Sequence, residues 1–279
     1  MKKALLLAAA AALLLCVPLA FARADGERPA NSGRYERYAA AHMELSEAEL
    51  KLALALKLDE PSYKNVVVVN RPSSLGVLVS KHFALPAGYV PAVLEDVDKN
   101  YAMDGVQLRA DCCAAFLEMA RAAERQGAFL YIKSGYRVNK TNDDPDDMWN
   151  AWPGHSEHQT GLAFDLRLKG KTRTLLRDYR YETSFEYAWL CAHACDYGFV
   201  LSYPEGESDT TGYEFEPWHW RYVGVRIATD MRDKGFSTFP EYWAAYLMAR
   251  ELRAEPPARI VASVDSLFCR FACAYAEAE

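Results

Sequence analysis

Two polar segments, residues 156–165 and 216–220, constrain the fold more than any other feature of this chain. The first contains His158 and Asp165, and the second contains Glu216 and His219. Two imidazoles and two carboxylates match a hydrolytic zinc site, which needs three protein ligands, an open position for water and a base for the water's proton. The fold must therefore bring together two segments that lie about 50 residues apart in the sequence.

Within this set, His158, Asp165 and His219 are the predicted ligands of Zn²⁺, and Glu216 is the predicted catalytic base. Zinc lowers the pKa of a bound water toward about 7, and a nearby carboxylate can complete the deprotonation. Residues three apart on an ideal strand face opposite sides. We expect Pro217 to interrupt the strand and to let the side chains of Glu216 and His219 converge.

Arg137 is the second predicted catalytic residue. It follows a predicted strand over residues 128–133 and the Ser134-Gly135 pair, so its side chain can project from a strand end into a cleft. A guanidinium there would stabilise a tetrahedral oxyanion or bind a substrate carboxylate in bidentate fashion. Without the neighbouring motifs, a surface ion pair would be the simpler interpretation.

The N-terminal segment has the features of an export signal. Lys2 and Lys3 precede nineteen uncharged residues, 4–22, and small-x-small sites follow at 20–22 and 22–24. This pattern predicts a secretory signal peptide over residues 1–24 and a secreted or cell-envelope location. The alternative is an uncleaved membrane anchor, because roughly 18 apolar residues can span a bilayer. In either case we expect the remainder of the chain outside the cytoplasm.

Charge argues against nucleic acid as a partner. Loss of Lys2, Lys3 and Arg23 with the signal changes the formal net charge from -6 to -9. An acidic chain without basic clusters lacks the positive surface that nucleic-acid binding requires. We expect a monomer, with a linker over residues 25–44, one compact domain over 45–254 and a C-terminal helix over 255–279 packed on it.

Six cysteines remain after the predicted cleavage. Cys191 and Cys195, like Cys269 and Cys273, are spaced at i,i+4 on predicted helices. Antiparallel packing of those helices would allow two disulfides, Cys191–Cys273 and Cys195–Cys269. Buried free thiols and a four-thiolate metal site are the alternatives that remain open.

Local patterns place the motifs on short elements. Ser46 with Glu49, and Thr183 with Glu186, match capping boxes at the start of two helices. Residues 162–168 alternate apolar and polar and predict a strand with one apolar face. The other predicted elements are a strand over 65–70, helices over 108–126, 223–234 and 240–254, and a last helix after residues 255–257.

Four segments carry a resemblance to a known family: 134–137 (SGYR), 153–165 (PGHSEHQTGLAFD), 196–199 (DYGF) and 211–224 (TGYEFEPWHWRYVG). Together they resemble the VanY-type D-alanyl-D-alanine carboxypeptidases, which are LAS metallopeptidases with a hedgehog-like fold. The resemblance extends over residues 66–246. It implies an α+β fold with a small antiparallel sheet flanked by helices, zinc at His158, Asp165 and His219, base catalysis by Glu216, and a substrate-binding Arg137.

The resemblance also implies a substrate, the stem peptides of peptidoglycan, from which a terminal D-alanine would be removed. Departures from the family pattern lie around the cleft: Val138 replaces Ser, residues 139–150 form a short acidic loop, Ser202 replaces Arg, and residues 205–207 replace a Lys. They leave D,D-carboxypeptidase, L,D-carboxypeptidase and endopeptidase activity as alternatives, along with a non-catalytic zinc-stapled wall-binding module. The predicted substrate contacts are Ser156, Tyr136, Gln159, Tyr213 and Trp218.

Overall fold

The computed structural model describes residues 32–138, 143–168 and 180–252. Its main sheet has four strands in the order β5-β6-β8-β7, and every neighbouring pair is antiparallel. Two further two-stranded pairs, β1 with β2 and β3 with β4, lie earlier in the chain. The strands are β1 (Val67–Val68), β2 (Phe83–Ala84), β3 (Leu94–Asp96), β4 (Gln107–Arg109), β5 (Ile132–Ser134), β6 (Ala163–Leu166), β7 (Phe199–Leu201) and β8 (His219–Tyr222).

In the part of the chain that the structure describes, helices pack around these strands. The short 3₁₀ segments there are Glu157–Thr160, Tyr181–Thr183 and Ala194–Tyr197. Within the described ranges, no helix is long and apolar enough to cross a membrane. The α-helices are α1 (Ser32–Ala41), α2 (Glu47–Leu56), α3 (Ala110–Glu124), α4 (Phe185–His193), α5 (Ser208–Thr211), α6 (Val225–Lys234), α7 (Phe239–Tyr242) and α8 (Met248–Glu251), with the π-helical turn Trp243–Leu247 between the last two.

The main core lies between the sheet and helices α3 and α4. Phe164 of β6 contacts Phe116 of α3 at a ring distance of 5.0 Å and Phe199 of β7 at 5.3 Å. All three rings are fully buried, and such edge-to-face contacts add to the free energy gained by burying their apolar area. One face of β6 is therefore fixed in the core, which directs the alternate residues Ala163 and Asp165 to the other face.

A second core lies beside the sheet and is centred on Trp243 in the π-helical turn, which packs against Phe83 at 5.0 Å. Residues of α6 and of the segment 77–79 complete it. This core anchors the N-terminal part of the described chain to the sheet that carries the segments 156–165 and 216–220.

Most of the predicted elements are present. The Ser46–Glu49 capping box is confirmed, with both reciprocal hydrogen bonds formed. The second capping box is wrong: the Thr183 hydroxyl donates to the Arg180 carbonyl, and Ser184 caps α4 instead. The helix expected from residue 108 begins at Ala110, because residues 107–109 pair with β3.

The segment expected to be a linker contains helix α1, which packs beside α2. The Arg34 side chain forms an ion pair with Asp59, at the end of the α2 region. The helix is held by a contact between residues distant in sequence. The turn-forming composition of residues 25–44 therefore did not predict the helix. The predicted signal peptide over residues 1–24, the C-terminal helix over 255–279, and both Cys269 and Cys273 lie outside the described residues.

The α+β fold class is confirmed, with a small antiparallel sheet between helices. Cys112 and Cys113 are buried in the main core, Cys191 is exposed and Cys195 is half-buried. None of these four thiols is bonded to another of the four. The proposed pairings involve residues beyond 252 and stay a prediction.

Candidate metal centre and active site

The pairing of β6 with β8 brings the two polar segments together. Asp165 and His219 are direct partners in the antiparallel register. His158 comes from the 3₁₀ segment Glu157–Thr160, which ends at Gly161 with a left-handed φ of 69°. A residue with a side chain is strained at that φ, so the glycine allows the sharp turn from His158 into β6. The rings of His158 and His219 lie 4.8 Å apart and nearly perpendicular.

The three predicted ligands converge on one point. Asp165 Oδ1 lies 3.3 Å from His158 Nε2 and 3.0 Å from His219 Nδ1. Tetrahedral zinc with bonds of about 2.0–2.1 Å would separate its ligand atoms by roughly 3.3 Å. His158 Nε2 is buried and makes no hydrogen bond, which suits a lone pair directed at a metal. The residues present therefore fit a zinc ion.

Glu216 lies at the edge of this cluster, with Oε2 at 3.6 Å from His219 Nδ1. A turn at residues 217–218 precedes β8, and the His219 N–H donates to the Glu216 carbonyl at 3.0 Å. The turn at Pro217 thus brings Glu216 and His219 together as predicted. Burial raises the pKa of Glu216 to about 7, helped by the charge of Asp165 and opposed by His219 and Arg137.

The metal-free cluster is strongly charged. Burial opposes the imidazolium form of His219, but hydrogen bonds to Asp165 and Glu157 outweigh it and raise the pKa of His219 to about 10. Burial also opposes the charge on Asp165, and the two histidines outweigh it and hold the Asp165 pKa well below its ordinary value. The protonated His219 ring lies between the carboxylates of Asp165 and Glu157. A divalent cation bound here would supply the positive charge that this extra proton supplies in its absence.

Arg137 is exposed and lies three residues beyond Ser134, the end of β5. Burial is the main cause of the lowered pKa of His158, and the positive charge of Arg137 adds to it. The same charge opposes the rise in the pKa of Glu216. Its guanidinium is therefore close enough to act on both groups. Tyr136 beside it is half-buried, and its N–H donates to the Gln107 carbonyl at 2.7 Å.

The predicted substrate contacts differ in exposure. Ser156, Gln159 and Tyr213 are buried, and Gln159 Oε1 accepts a hydrogen bond from the Gly154 N–H at 2.9 Å. Little of their surface is open to a substrate in this structure, so these contacts stay predictions. The half-buried Trp218 differs, because its ring lies 6.4 Å from that of another tryptophan at an interplanar angle of 16°.

That second tryptophan is Trp149, which the sequence patterns did not identify. Its side chain is 53% exposed, yet its loop is well anchored. The backbone N–H of Trp149 donates to Asp147 Oδ1 at 2.7 Å, and the neighbouring Met148 carbonyl accepts from the Glu214 N–H at 3.0 Å. The two rings therefore lie side by side next to the segment that carries Glu216.

Two charged residues next to the ligands were also missed. Glu157 is 5% exposed and Arg221 is fully buried, and their side chains form an ion pair at 3.1 Å. Glu157 Oε2 accepts from Ser202 Oγ at 2.6 Å and lies 3.1 Å from His219 Nε2. Burial opposes ionisation of Glu157, but Arg221 and His219 outweigh it and lower its pKa to about 2. Arg221 between the aromatic residues Trp220 and Tyr222 of β8 was the available signal, because a buried cation requires a partner.

Comparison with known proteins identifies relatives of this chain. The VanY family model, described as D-alanyl-D-alanine carboxypeptidase, matches residues 105–225. The carboxypeptidase-family protein YodJ of Bacillus subtilis is 32% identical over 192 residues, covering 63% of this chain and 69% of YodJ. A D-alanyl-D-alanine carboxypeptidase of Enterococcus faecalis is 28% identical over 180 residues, covering 57% of this chain and 62% of the relative.

Solved structures are similar as well. The LdcB LD-carboxypeptidase superimposes with a TM-score of 0.54 at 28% identity, covering 69% of this chain and 93% of LdcB. The D,D-dipeptidase VanXYg, solved with a D-Ala-D-Ala phosphinate analogue, gives a TM-score of 0.50 at 28% identity, covering 62% of this chain and 72% of VanXYg.

Proposed function

We propose that this chain, which belongs to the VanY family of D-alanyl-D-alanine carboxypeptidases, is a zinc-dependent enzyme that removes the terminal D-alanine from peptidoglycan stem peptides. The observation that carries the proposal is the convergence of His158 Nε2, Asp165 Oδ1 and His219 Nδ1 beside a carboxylate, Glu216, whose pKa is about 7. The predicted export signal over residues 1–24 would place the enzyme where such peptides occur.

Zinc held by His158, Asp165 and His219 would polarise the scissile carbonyl and lower the pKa of the attacking water. The Glu216 carboxylate accepts a proton from that water as its oxygen adds to the carbonyl carbon. Glu216 then donates the proton to the amine of D-alanine as the C–N bond breaks. A carboxyl group with a pKa near the working pH suits both transfers. Arg137 faces the carbonyl oxygen and stabilises its developing negative charge.

The decisive experiment measures metal content and release of D-alanine from a pentapeptide stem. Wild-type protein should bind one zinc, lose activity with a chelator and regain it when zinc is returned. Glu216→Gln should keep the zinc and lose roughly 10²–10⁴-fold in turnover, the usual contribution of a general acid–base group. A metal-loaded Glu216→Gln variant with wild-type turnover would disprove the mechanism.

A second candidate is L,D-carboxypeptidase activity at the same site. The similarity to the LdcB LD-carboxypeptidase favours it. Ser202, which was expected beside the cleft, is buried and donates to Glu157 instead. Mass spectrometry of muropeptides separates the alternatives. Loss of D-alanine from pentapeptides indicates D,D-activity, loss from tetrapeptides indicates L,D-activity, and cleavage of cross-linked dimers indicates an endopeptidase.

A further inference from the structure

We infer that Glu157 is a positioning residue that holds the His219 ring with its Nδ1 toward the metal. The inference rests on the proposed zinc site, and it adds a role for a side chain that is not itself a ligand. It arises from the contacts on the far side of the His219 ring, where a carboxylate, a hydroxyl and a guanidinium meet in a buried cluster.

The two nitrogens of His219 face different groups. Nδ1 lies 3.0 Å from Asp165 Oδ1 and Nε2 lies 3.1 Å from Glu157 Oε2. A neutral imidazole has one N–H and one lone pair, and an acceptor at one nitrogen fixes the proton there. With Nε2–H donating to Glu157, the lone pair of Nδ1 is available to a metal.

His158 has the opposite arrangement. Its Nδ1 lies 2.8 Å from the Gly135 carbonyl, an acceptor, which leaves Nε2 for the metal. The two histidines therefore present different nitrogens to the same point, and each is oriented by an acceptor behind it. The acceptor for His158 is the backbone, so only His219 depends on a side chain for its orientation.

Glu157 is itself held by two groups besides His219. Its Oε1 pairs with Arg221 Nη1 at 3.1 Å, and its Oε2 accepts from Ser202 Oγ at 2.6 Å. Arg221 Nη2 in turn donates to the carbonyls of Leu75 and Val77 at 3.2 and 3.1 Å. The orientation of the metal-binding ring is thus tied through Glu157 and Arg221 to the segment 75–77.

A buried ion pair with a purely structural role is the competing explanation, and Glu157→Gln distinguishes the two. An amide has only one oxygen. If that oxygen faces Arg221, the NH₂ group faces His219 Nε2 and forces the proton onto Nδ1, which blocks metal binding. If the oxygen faces His219, the NH₂ group opposes the Arg221 N–H donors. Adding Arg221→Met removes that opposition, so the glutamine oxygen can accept from Nε2–H.

The experiment measures zinc dissociation constants by competition with a chromophoric chelator, and the absorption spectrum of the Co²⁺-substituted proteins. We expect Glu157→Gln to weaken zinc binding 10–100-fold and to change the Co²⁺ spectrum. We expect Glu157→Gln with Arg221→Met to recover most of the affinity and the wild-type spectrum. Asp59→Asn is the matched control, because it removes the charge from another partly buried ion pair, the one with Arg34. This variant should have wild-type zinc affinity.

Wild-type zinc affinity in Glu157→Gln would overturn the inference. If the single variant does not fold, the double variant decides: weak zinc binding by a folded double variant also overturns the inference, whereas near-wild-type binding supports it. Failure of the proposed function looks different, since the wild-type protein would then bind no zinc, or His219→Ala would bind zinc as tightly as wild type.

Discussion

Gly135 is the position at which one added methyl group should disturb both the fold and the metal centre. A Cβ at residue 135 would lie 2.3 Å from the Gln107 carbonyl oxygen and 3.0 Å from Val106 Cγ1. The oxygen belongs to the backbone of β4 and already accepts from the Tyr136 N–H at 2.7 Å. Because the Gln107 contact is to a backbone oxygen, no side-chain rotation can relieve it, and the two backbone segments must move apart.

The expected cost follows from these contacts. Overpacking a core with an extra methyl group costs about 1–3 kcal/mol, and loss of the Tyr136–Gln107 hydrogen bond adds roughly 1 kcal/mol. A total of about 2–4 kcal/mol corresponds to a decrease in Tm of roughly 4–16 °C for a domain of this size. Because the Gly135 carbonyl is the acceptor for His158 Nδ1, zinc affinity should fall in the same variant.

Thermal unfolding of the chelator-treated protein and zinc competition measure the two effects separately. Gly33→Ala is the control: its Cβ would meet only the flexible end of Arg37 at 3.3 Å, and alanine in helix α1 should be neutral or stabilising. A Gly135→Ala variant with wild-type Tm and wild-type zinc affinity would refute the reasoning that the close approach of Gly135 to Gln107 sets the position of His158.

Three further effects are expected. Burial lowers the pKa of His155, and the contact of its ring with the Ser80 carbonyl opposes that change. The fold therefore favours the neutral ring. The free energy of unfolding should decrease as the pH falls below about 6.5, by up to about 1.4 kcal/mol per pH unit. Urea unfolding at pH 7.5 and 5.5 should show a smaller difference in His155→Gln. Arg137→Ala should lower kcat roughly 10²–10³-fold with an unchanged Tm, measured by D-alanine release. Trp149→Ala should raise KM about 2–10-fold with little change in kcat.

The sequence predicted those parts of the site that depend on local chemistry. The ligand spacing around His158 and Asp165, and the interruption at Pro217, are properties of short segments, and the structure brings them together as expected. Strand β6 was recognisable because one of its faces is apolar over its whole length. The capping box at Ser46 was recognisable for a similar reason, since both of its hydrogen bonds lie within one helical turn.

The contacts that were missed join residues far apart in the sequence. Glu157 and Arg221 are 64 positions apart, and neither has a neighbour in sequence that reveals the pair. Helix α1 was missed for the same reason, because its ion pair with Asp59 forms only after the chain has folded. Thr183 and Ser184 are adjacent hydroxyl residues that could each cap the next helix. Ser184 accepts from the Tyr187 N–H, whereas Thr183 donates to the Arg180 carbonyl.

The register of β6 and β8 links assembly of the sheet to the chemistry at its surface. Asp165 and His219 are one cross-strand pair, and the adjacent pair, Phe164 and Trp220, faces the core. A slip of one residue would exchange these faces, placing a carboxylate among aromatic rings and a phenyl group in the cleft. An insertion or deletion within either strand should therefore abolish metal binding and folding together. A bound ion can stabilise the sheet only when the two strands are in the correct register.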